Sequence, residues 1–467
     1  MKKIYFYDTS KKTKVEFVSL KPNIAKIYVC GPTVYDNSHL GHARSAIAFD
    51  LLHRVLKVNG YEVVFAKNFT DIDDKIIKKM KEEGKSLEEI TTFYIKNYKN
   101  DMEILNILPN SFEPKATENL DAMKDMIEKL LLKDIAYKTD DSVYFDVSKD
   151  KNYGSLSNQA SDENSQARVE INNQKRNSSD FALWKFEKAS DVSFASNFGA
   201  GRPGWHIECS AMIEKHLAYK DEPFQIDIHC GGADLLFPHH ENEASQTRCA
   251  SGQNLAKYWM HNGFVNINGE KMSKSLGNSF FLKDVLKSYS GEVVRFYLLS
   301  SSYRANINFN EEDLLASKKR LDKLYRVKKR VYEVTASKVN EKFENTVLEA
   351  LNDDLNTSLA LSFIDEFINS SNDSLDKNPK DKTLKQEIVA NIEFVEKVLG
   401  FGGSDAFSYF QFGVSLELKK EIEDLISKRA EAKKDKDFAK ADSIRDELSS
   451  MNISIMDTAL GVVWEYR

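Results

Sequence analysis

Residues 25–75, AKIYVCGPTVYDNSHLGHARSAIAFDLLHRVLKVNGYEVVFAKNFTDIDDK, constrain the fold more tightly than any other part of the chain. A short β-type run ends at Cys30, and Gly31-Pro32 punctuate a turn. From about Leu40 apolar residues recur at helical spacing (Ala43, Ala46, Ile47, Leu51, Val55, Val58), Gly60 supplies a helix stop, and YEVVFA resumes as a strand. Strand, helix and strand in this order predict a βαβ unit, and so a parallel sheet with a right-handed crossover. Ligands of such sheets bind beyond the carboxyl ends of the strands, which puts Cys30 and the following loop in a functional position.

The rest of the chain divides by character. Residues 86–132 read as largely helical, broken near LPNSFEP. Residues 138–200 are polar, with short strand-like pieces such as SVYFDV, and read as part of an insertion between the halves of the sheet. WHIECSAMIEKHL predicts a helix, FQIDIH a buried strand and NINGEKMSKSLGN a turn-rich loop. Beyond about Glu311 the chain is predominantly helical and charged, with a basic run at 318–330 and a Gly-rich break, GFGGSD, at 400–405. The last segment predicts a long charged helix, LKKEIEDLISKRAEAKKDKDFAKADSIRDEL, and a short β-like tail.

Four cysteines in 467 residues, with no C-x-x-C pair, exclude a disulfide scaffold and fit a reducing cytoplasm. No apolar run is long enough for a membrane span or a secretory h-region. A net charge of −6 excludes a chain coated in positive charge. Nucleic acid must then meet a local basic surface such as 318–330, whose alternative is a solvated helical face.

Three short motifs carry chemistry. In FPHHENE, 237–243, His239 and Glu243 are four apart on a helix and His240 and Glu243 three apart, so either pair offers an imidazole and a carboxylate to one metal. A capped polar helix start is the blander alternative. The metalloprotease pattern is absent because Ala244 stands where the second His is required. No local spacing completes a zinc site, so further ligands must come from distant segments, with Cys30 and Cys209 as candidates. In SHLGH, 38–42, His39 and His42 stand at a helix start suited to an anion, and Gly41 lets a flat group approach the backbone. In KMSKS, 271–275, Lys271 and Lys274 are placed to clasp a polyphosphate. One motif in each half of the sheet suits a nucleotide held across its switch point.

With YVCGPTVYDNSHLGH and KMSKS, the ordered series NFTDIDDKI, KRNSSDFALWK, GRPGWHIECSAM, FPHHENE, DFAKADSIRDEL and DTALGVVWEYR resembles the class I aminoacyl-tRNA synthetases, specifically the cysteinyl-tRNA synthetase family, over nearly the whole chain. The resemblance implies an α/β fold: a Rossmann-type parallel-sheet catalytic domain with an insertion, then a helical bundle and a small C-terminal domain. Its expected spans are 1–310 for the catalytic domain (halves about 20–112 and 200–265, insertion about 113–199, KMSKS region about 266–310), 311–400 for a tRNA-binding bundle and 401–467 for an anticodon-binding domain. It implies one zinc ion on Cys30, Cys209, His239 and Glu243. It implies a cysteine pocket of Cys30, Gly31, Thr70, Trp205, His229 and Asp234, with Trp205 closing over the ligand. His39, Gly41, His42 and Lys274 would bind ATP, His39, His42, Lys271 and Lys274 would carry the catalysis, and Mg²⁺ would accompany ATP.

The reaction so implied activates L-cysteine with ATP to cysteinyl-adenylate and transfers it to the 3′-terminal ribose of tRNA(Cys), in a cytoplasmic monomer. Zinc would select the substrate thiol, leaving His240 and Glu241 as supporting or capping groups. A paralogue that joins cysteine to an amino-sugar is the alternative, disfavoured by the tail to Arg467. Three departures from the family stand out: Cys230 where glycine is usual, a stretch SFASNFGAG without the usual tryptophans, and Leu40 for isoleucine.

Overall fold

The computed structural model describes residues 2–158, 174–187, 192–267, 280–458 and 461–466, and the backbone of 270–271. A hairpin of β1 (Tyr5–Asp8) and β2 (Thr13–Glu16) precedes the predicted unit: β3 (Ile24–Val29), α1 (Leu40–Val58) and β4 (Glu62–Lys67). Helices α2 (Asp74–Glu83), α3 (Leu87–Ile104) and α4 (Leu120–Leu132) follow. Strands β5 (Ala136–Lys138), β6 (Ser142–Phe145), β7 (Phe181–Phe186) and β8 (Gly201–Pro203) pair in sequence order as a separate antiparallel sheet within the expected insertion and at its border. The second half of the main sheet is α5 (Trp205–His216), β9 (Phe224–Gly232), α6 (Glu241–Ser251) and β10 (Asn254–Asn262).

The main sheet runs β10-β9-β3-β4, parallel throughout. Its β4 edge is covered by the chain at Phe112 and Lys115, which forms parallel bridges with Ala66 and Phe69. Strand alternation separates two faces. Ile27, Val29, Phe65 and Cys230 join the core around α1, whereas Tyr28, Cys30, Ala66 and Trp259 join Cys209 of α5 in a second cluster. Cys230, paired in register with Val29, is therefore a buried thiol of the α1 core, on the other face from Cys30.

Strands β11 (Val265–Ile267), β12 (Glu270–Lys271) and, after α7 (Leu282–Ser288) and α8 (Gly291–Leu299), β13 (Ile307–Phe309) form a small sheet. The bundle follows as α9 (Glu311–Arg330), α10 (Glu341–Asn352), α11 (Thr357–Lys377) and α12 (Lys382–Leu399). The long C-terminal helix expected from the sequence is two helices, α13 (Leu416–Lys434) and α14 (Phe438–Ser450). The break falls where Lys436 takes a left-handed conformation (φ 62°) and the Asp437 side chain caps the Lys440 amide, two devices that uniform charge patterning conceals. A hairpin, β14 (Ile453–Thr458) and β15 (Gly461–Tyr466), ends the described chain. Among the described residues no helix is long and apolar enough to cross a membrane.

Four of the eight cations in the basic run on α9 are neutralised within the fold. Lys318 pairs with Asp322, Arg320 with Asp365, Lys329 with Glu465 and Arg330 with Asp376. Lys319, Lys323 and Arg326 are exposed.

A buried charge cluster joins bundle to sheet domain. Asp50 of α1 receives Arg54 at 2.8 Å, Arg295 of α8 and the Leu108 amide at 2.7 Å. The same guanidiniums cap the end of α12, Arg295 donating to the Leu399 carbonyl (2.5 Å) and Arg54 to those of Glu396 and Lys397 (3.3 and 3.2 Å). Burial pushes the Asp50 carboxyl up, but Arg295 and Arg54 outweigh it and hold it below the usual carboxylate range. A carboxyl depressed in the folded state stabilises above its unfolded pKa, and that contribution is lost as pH falls through the native value. Asp50→Asn is therefore expected to cost about 3–5 kcal/mol at neutral pH by urea unfolding, and to remove part of the stability loss seen in the wild type below about pH 4.

Candidate active site and metal centre

Four segments converge beyond the carboxyl ends of β3, β4 and β9. Cys30 follows β3, Asn68 follows β4, Cys209 lies in α5, and His239 and Glu243 flank the start of α6. Phe237 is extended (φ −137°, ψ 133°), and the backbone is helical from Pro238 through His239 and His240 into α6. His239, His240 and Glu243 are 1%, 0% and 0% exposed, which rules out the partly exposed polar helix start that the motif also allowed.

The ligating atoms of Cys30, Cys209, His239 and Glu243 lie within 4.8 Å of one another. The two thiol sulfurs are 3.8 Å apart, Cys30 Sγ is 3.4 Å from Glu243 Oε1, Cys209 Sγ is 3.7 Å from His239 Nε2, and His239 Nε2 is 3.0 Å from Glu243 Oε1. Tetrahedral zinc, with bonds of about 2.3 Å to sulfur and about 2.0 Å to nitrogen and oxygen, requires edges of about 3.8 Å between sulfurs, about 3.5 Å from sulfur to a lighter ligand, and about 3.3 Å between two lighter ligands. The donor set fits that ion. Burial pushes both thiols up and His239 well below its ordinary range, so without a cation the two thiols and this imidazole are held neutral. A second grouping, Cys30, His229, His240 and Glu243, is equally compact. Its two histidines are better explained as supports of the first: His229 Nε2 meets the other carboxylate oxygen of Glu243 at 2.8 Å, and His240 Nε2 meets Cys30 Sγ at 3.3 Å.

These supports continue outward. His240 Nδ1 is 2.8 Å from His261 Nε2, and His261 Nδ1 is 2.8 Å from Thr9 Oγ1. If His240 donates to sulfur, it accepts from His261, which accepts from the threonine hydroxyl; one chain fixes both tautomers. His206 Nδ1 lies 2.9 Å from His239 Nδ1, and burial lowers the pKa of His206 to about 3, so a neutral ring accepts the His239 proton and leaves His239 Nε2 as a lone pair. His240 and Glu241 are not caps: His240 makes no side-chain capping bond to α6, and Glu241 accepts from the Ser157 amide and hydroxyl (2.8 and 2.9 Å).

The expected cysteine-binding residues gather at the same place. The Gly31 amide donates to Asn68 Oδ1 at 2.7 Å, and a Cβ at Gly31 would overlap the Asn68 carbonyl oxygen, so only glycine fits this crossing. Thr70 donates to Glu208 Oε2 at 2.8 Å, and burial holds the Glu208 carboxyl well above the usual range. Trp205, 39% exposed, stacks on His239 with ring centres 4.0 Å apart. His229 stacks on Trp259 at 4.7 Å, and its buried Nδ1 has no hydrogen-bond partner among the described residues. Asp234 lies just past β9, exposed.

At the start of α1, His39 and His42 form a reciprocal cap. His42 Nδ1 accepts from the His39 amide (3.2 Å) and His39 Nδ1 from the Gly41 amide (3.1 Å), with the rings stacked at 3.8 Å. Nδ1 being the acceptor on both rings, the neutral tautomers carry their proton on Nε2. A Cβ at Gly41 would lie 2.9 Å from the His39 ring. Lys274 falls outside the described residues, and Lys271 is described only through its backbone pairing with Asn266. The chain re-enters beside His39, where the Phe280 carbonyl accepts from the Leu40 amide (3.4 Å).

Sequence reasoning did not single out Asn68, Glu208, His206 or His261. His206 was legible in part: it stands three residues before Cys209 and so on the same helical face. His261 required the fold, because its strand, β10, lies beside β9 only in the sheet.

A parallel-sheet fold with a signature histidine pair at the first crossover helix defines a class I aminoacyl-tRNA synthetase. The model of the tRNA synthetases class I (C) catalytic domain matches residues 16–319, that of the DALR domain 346–402, and that of the Cysteinyl-tRNA ligase anticodon binding domain 416–464. The cysteine–tRNA ligase of Aliarcobacter butzleri is 72% identical over 465 residues, covering 100% of both chains. That of a Nitratiruptor species is 64% identical, covering 98% of this chain and 99% of its own. In fold, Mycobacterium tuberculosis methionyl-tRNA synthetase in complex with methionyl-adenylate superposes with a TM-score of 0.61 at 13% identity, covering 81% of this chain and 92% of its own. The chain belongs to the cysteine–tRNA ligase family.

The support chain makes a measurable claim. His240→Phe is expected to weaken zinc binding by about 10–100-fold in competition with a chromogenic chelator, while thermal unfolding of the zinc-loaded protein stays cooperative.

Proposed function

We propose that Cys30, Cys209, His239 and Glu243 hold one zinc ion that selects L-cysteine, and that the chain passes this amino acid through cysteinyl-adenylate to the 3′-terminal ribose of tRNA(Cys). The observation that carries the reading is the match between the four donor separations and the edges of a zinc tetrahedron, at the carboxyl end of a synthetase sheet. When bound, zinc supplies a soft acceptor for a substrate thiolate and lowers the thiol pKa, which serine's hydroxyl exploits poorly. Discrimination of about 10⁴-fold needs roughly 5.5 kcal/mol, within reach of a metal–thiolate bond and so without an editing site.

The protein's own groups position and polarise. Gly31, Thr70, Trp205, His229 and Asp234 surround the amino acid, with Trp205 at the exposed mouth against His239. His39 and His42, with Nε2–H donors set by their mutual cap, stabilise charge at the α-phosphate of ATP, and Gly41 admits the nucleotide to the backbone. Lys271 and Lys274 receive charge on the departing pyrophosphate, with Mg²⁺ accompanying ATP. The cysteine carboxylate itself attacks, so no enzyme nucleophile is needed. Residues 311–400 and 401–467 dock the tRNA. With four of the eight cations of 318–330 ion-paired and Lys328 donating to the Gly402 and Ser404 carbonyls, Lys319, Lys323 and Arg326 are the α9 cations left for its phosphates. The protein acts as a cytoplasmic monomer.

Charging of total tRNA with radiolabelled cysteine is expected, together with cysteine-dependent ATP–pyrophosphate exchange. Exchange without charging would favour an amino-sugar acceptor. Comparable activation of serine would sink selection by zinc. Cys209→Ser is expected to raise the KM for cysteine at least about tenfold, and His42→Ala to lower kcat for exchange by about 10²–10³ with little change in KM.

A further inference from the structure

A cavity of about 350 Å³ lies on the α1 face of the main sheet, between α1, α3 and the ends of β3 and β4. None of the residues assigned above to zinc, cysteine, ATP or catalysis lines it. Its inner wall is apolar and flat, made by Val29, Ala46, Phe49 and Phe65, with His53 stacked on Phe65 at 5.0 Å. Lys67 enters this wall from the last position of β4. It is 9% exposed, and its ammonium stands 5.3 Å from the centre of the Tyr98 ring, which also lines the cavity.

Lys67 makes no ion pair and no side-chain hydrogen bond among the described residues, whereas two of the three carboxylates that line the cavity are paired. Asp50 is held by Arg54 and Arg295, Glu113 pairs with Lys99, and Glu103 is exposed at the rim. His53, 6% exposed, likewise makes no hydrogen bond among the described residues, and burial lowers its pKa to about 4, so it adds a neutral donor and no charge. The interior thus presents one unpaired cation, one imidazole, the Asp50 carboxylate already neutralised by Arg54 and Arg295, and flat apolar walls, in a volume of the size that small ligands fill. A cation with no anionic partner, set beside an aromatic ring, is a place where a bound anion gains an ion pair.

We propose that this cavity is a second ligand site, taking a small organic acid whose carboxylate is held by Lys67 and whose flat apolar body lies against Phe49 and Phe65. The site is separate from the zinc centre because adjacent residues of one strand point to opposite faces: Val29 and Lys67 face the cavity, while Cys30 and Asn68 face the metal ligands.

Benzoate is the probe, titrated calorimetrically onto the full-length, zinc-loaded protein. Saturable binding of one equivalent is expected, with benzamide, which lacks the charge, bound at least tenfold more weakly. Lys67→Met should weaken benzoate at least tenfold, and Ala46→Leu, which fills the cavity while keeping the cation, should do the same. Should Lys67→Met not fold, the benzamide comparison and Ala46→Leu decide alone. Absence of saturation, equal affinity for benzamide, unchanged affinity in the folded variants, or displacement of benzoate by saturating ATP and cysteine would each overturn the proposal.

Discussion

Two thiols, an imidazole and a carboxylate buried within 4.8 Å of one another are the constraint around which this domain is arranged. Burial moves the thiols and the imidazole toward their neutral forms. A cation of the right size reverses that balance, because it repays desolvation and holds the segments that bring its ligands. Those segments are the end of β3, the body of α5 and the start of α6, so one site ties both halves of the sheet and the helix leading out of the insertion. His229, His240, His206 and His261 then have a common purpose, each directing a proton so that a ligand presents its lone pair inward.

Strand alternation assigns the neighbouring groups. Along β3 and β4 one face carries Cys30 and Asn68 to the metal ligands, and the other carries Val29, Phe65 and Lys67 toward α1. The same rule settles Cys230. It pairs with Val29 and lies in the α1 core, so this thiol packs as a small apolar residue on the face away from Cys30.

Much of the sheet was legible because its periodicities are strong: the βαβ unit at 24–67, the helix from Trp205 and the strand before Gly231 all stand where the pattern puts them. The site was legible only in pieces. Spacing left His239 and His240 interchangeable, since both lie within helical reach of Glu243, and it offered Cys30 and Cys209 only as candidates that resemblance to a family then chose. What separates the two histidines is three-dimensional: adjacent on the helical backbone after the kink at Phe237, His239 reaches Cys209 and His240 reaches Cys30 and His261. The division of the C-terminal helix escaped pattern reading because its break rests on one left-handed lysine and one capping aspartate within a uniformly charged run.

The α1 helix connects these features over a distance that matters for a tRNA ligase. Its first turn carries His39 and His42, and about 18 Å along it Arg54, with Asp50 one turn before, grips the end of α12. A helix packed on every side does not bend cheaply, so a displacement of the bundle reaches the histidine pair as movement of one rigid element. Arg295 reinforces the grip from α8, and a side chain at Gly400 would meet its guanidinium at 2.5 Å, which leaves the joint little freedom to slide. The basic run of α9 is spent on pairs such as Lys329 with Glu465 and Arg320 with Asp365, so its charge fixes the helical parts to one another. The Asp50 cluster is thus the link between those helices and the helix that carries the histidine pair.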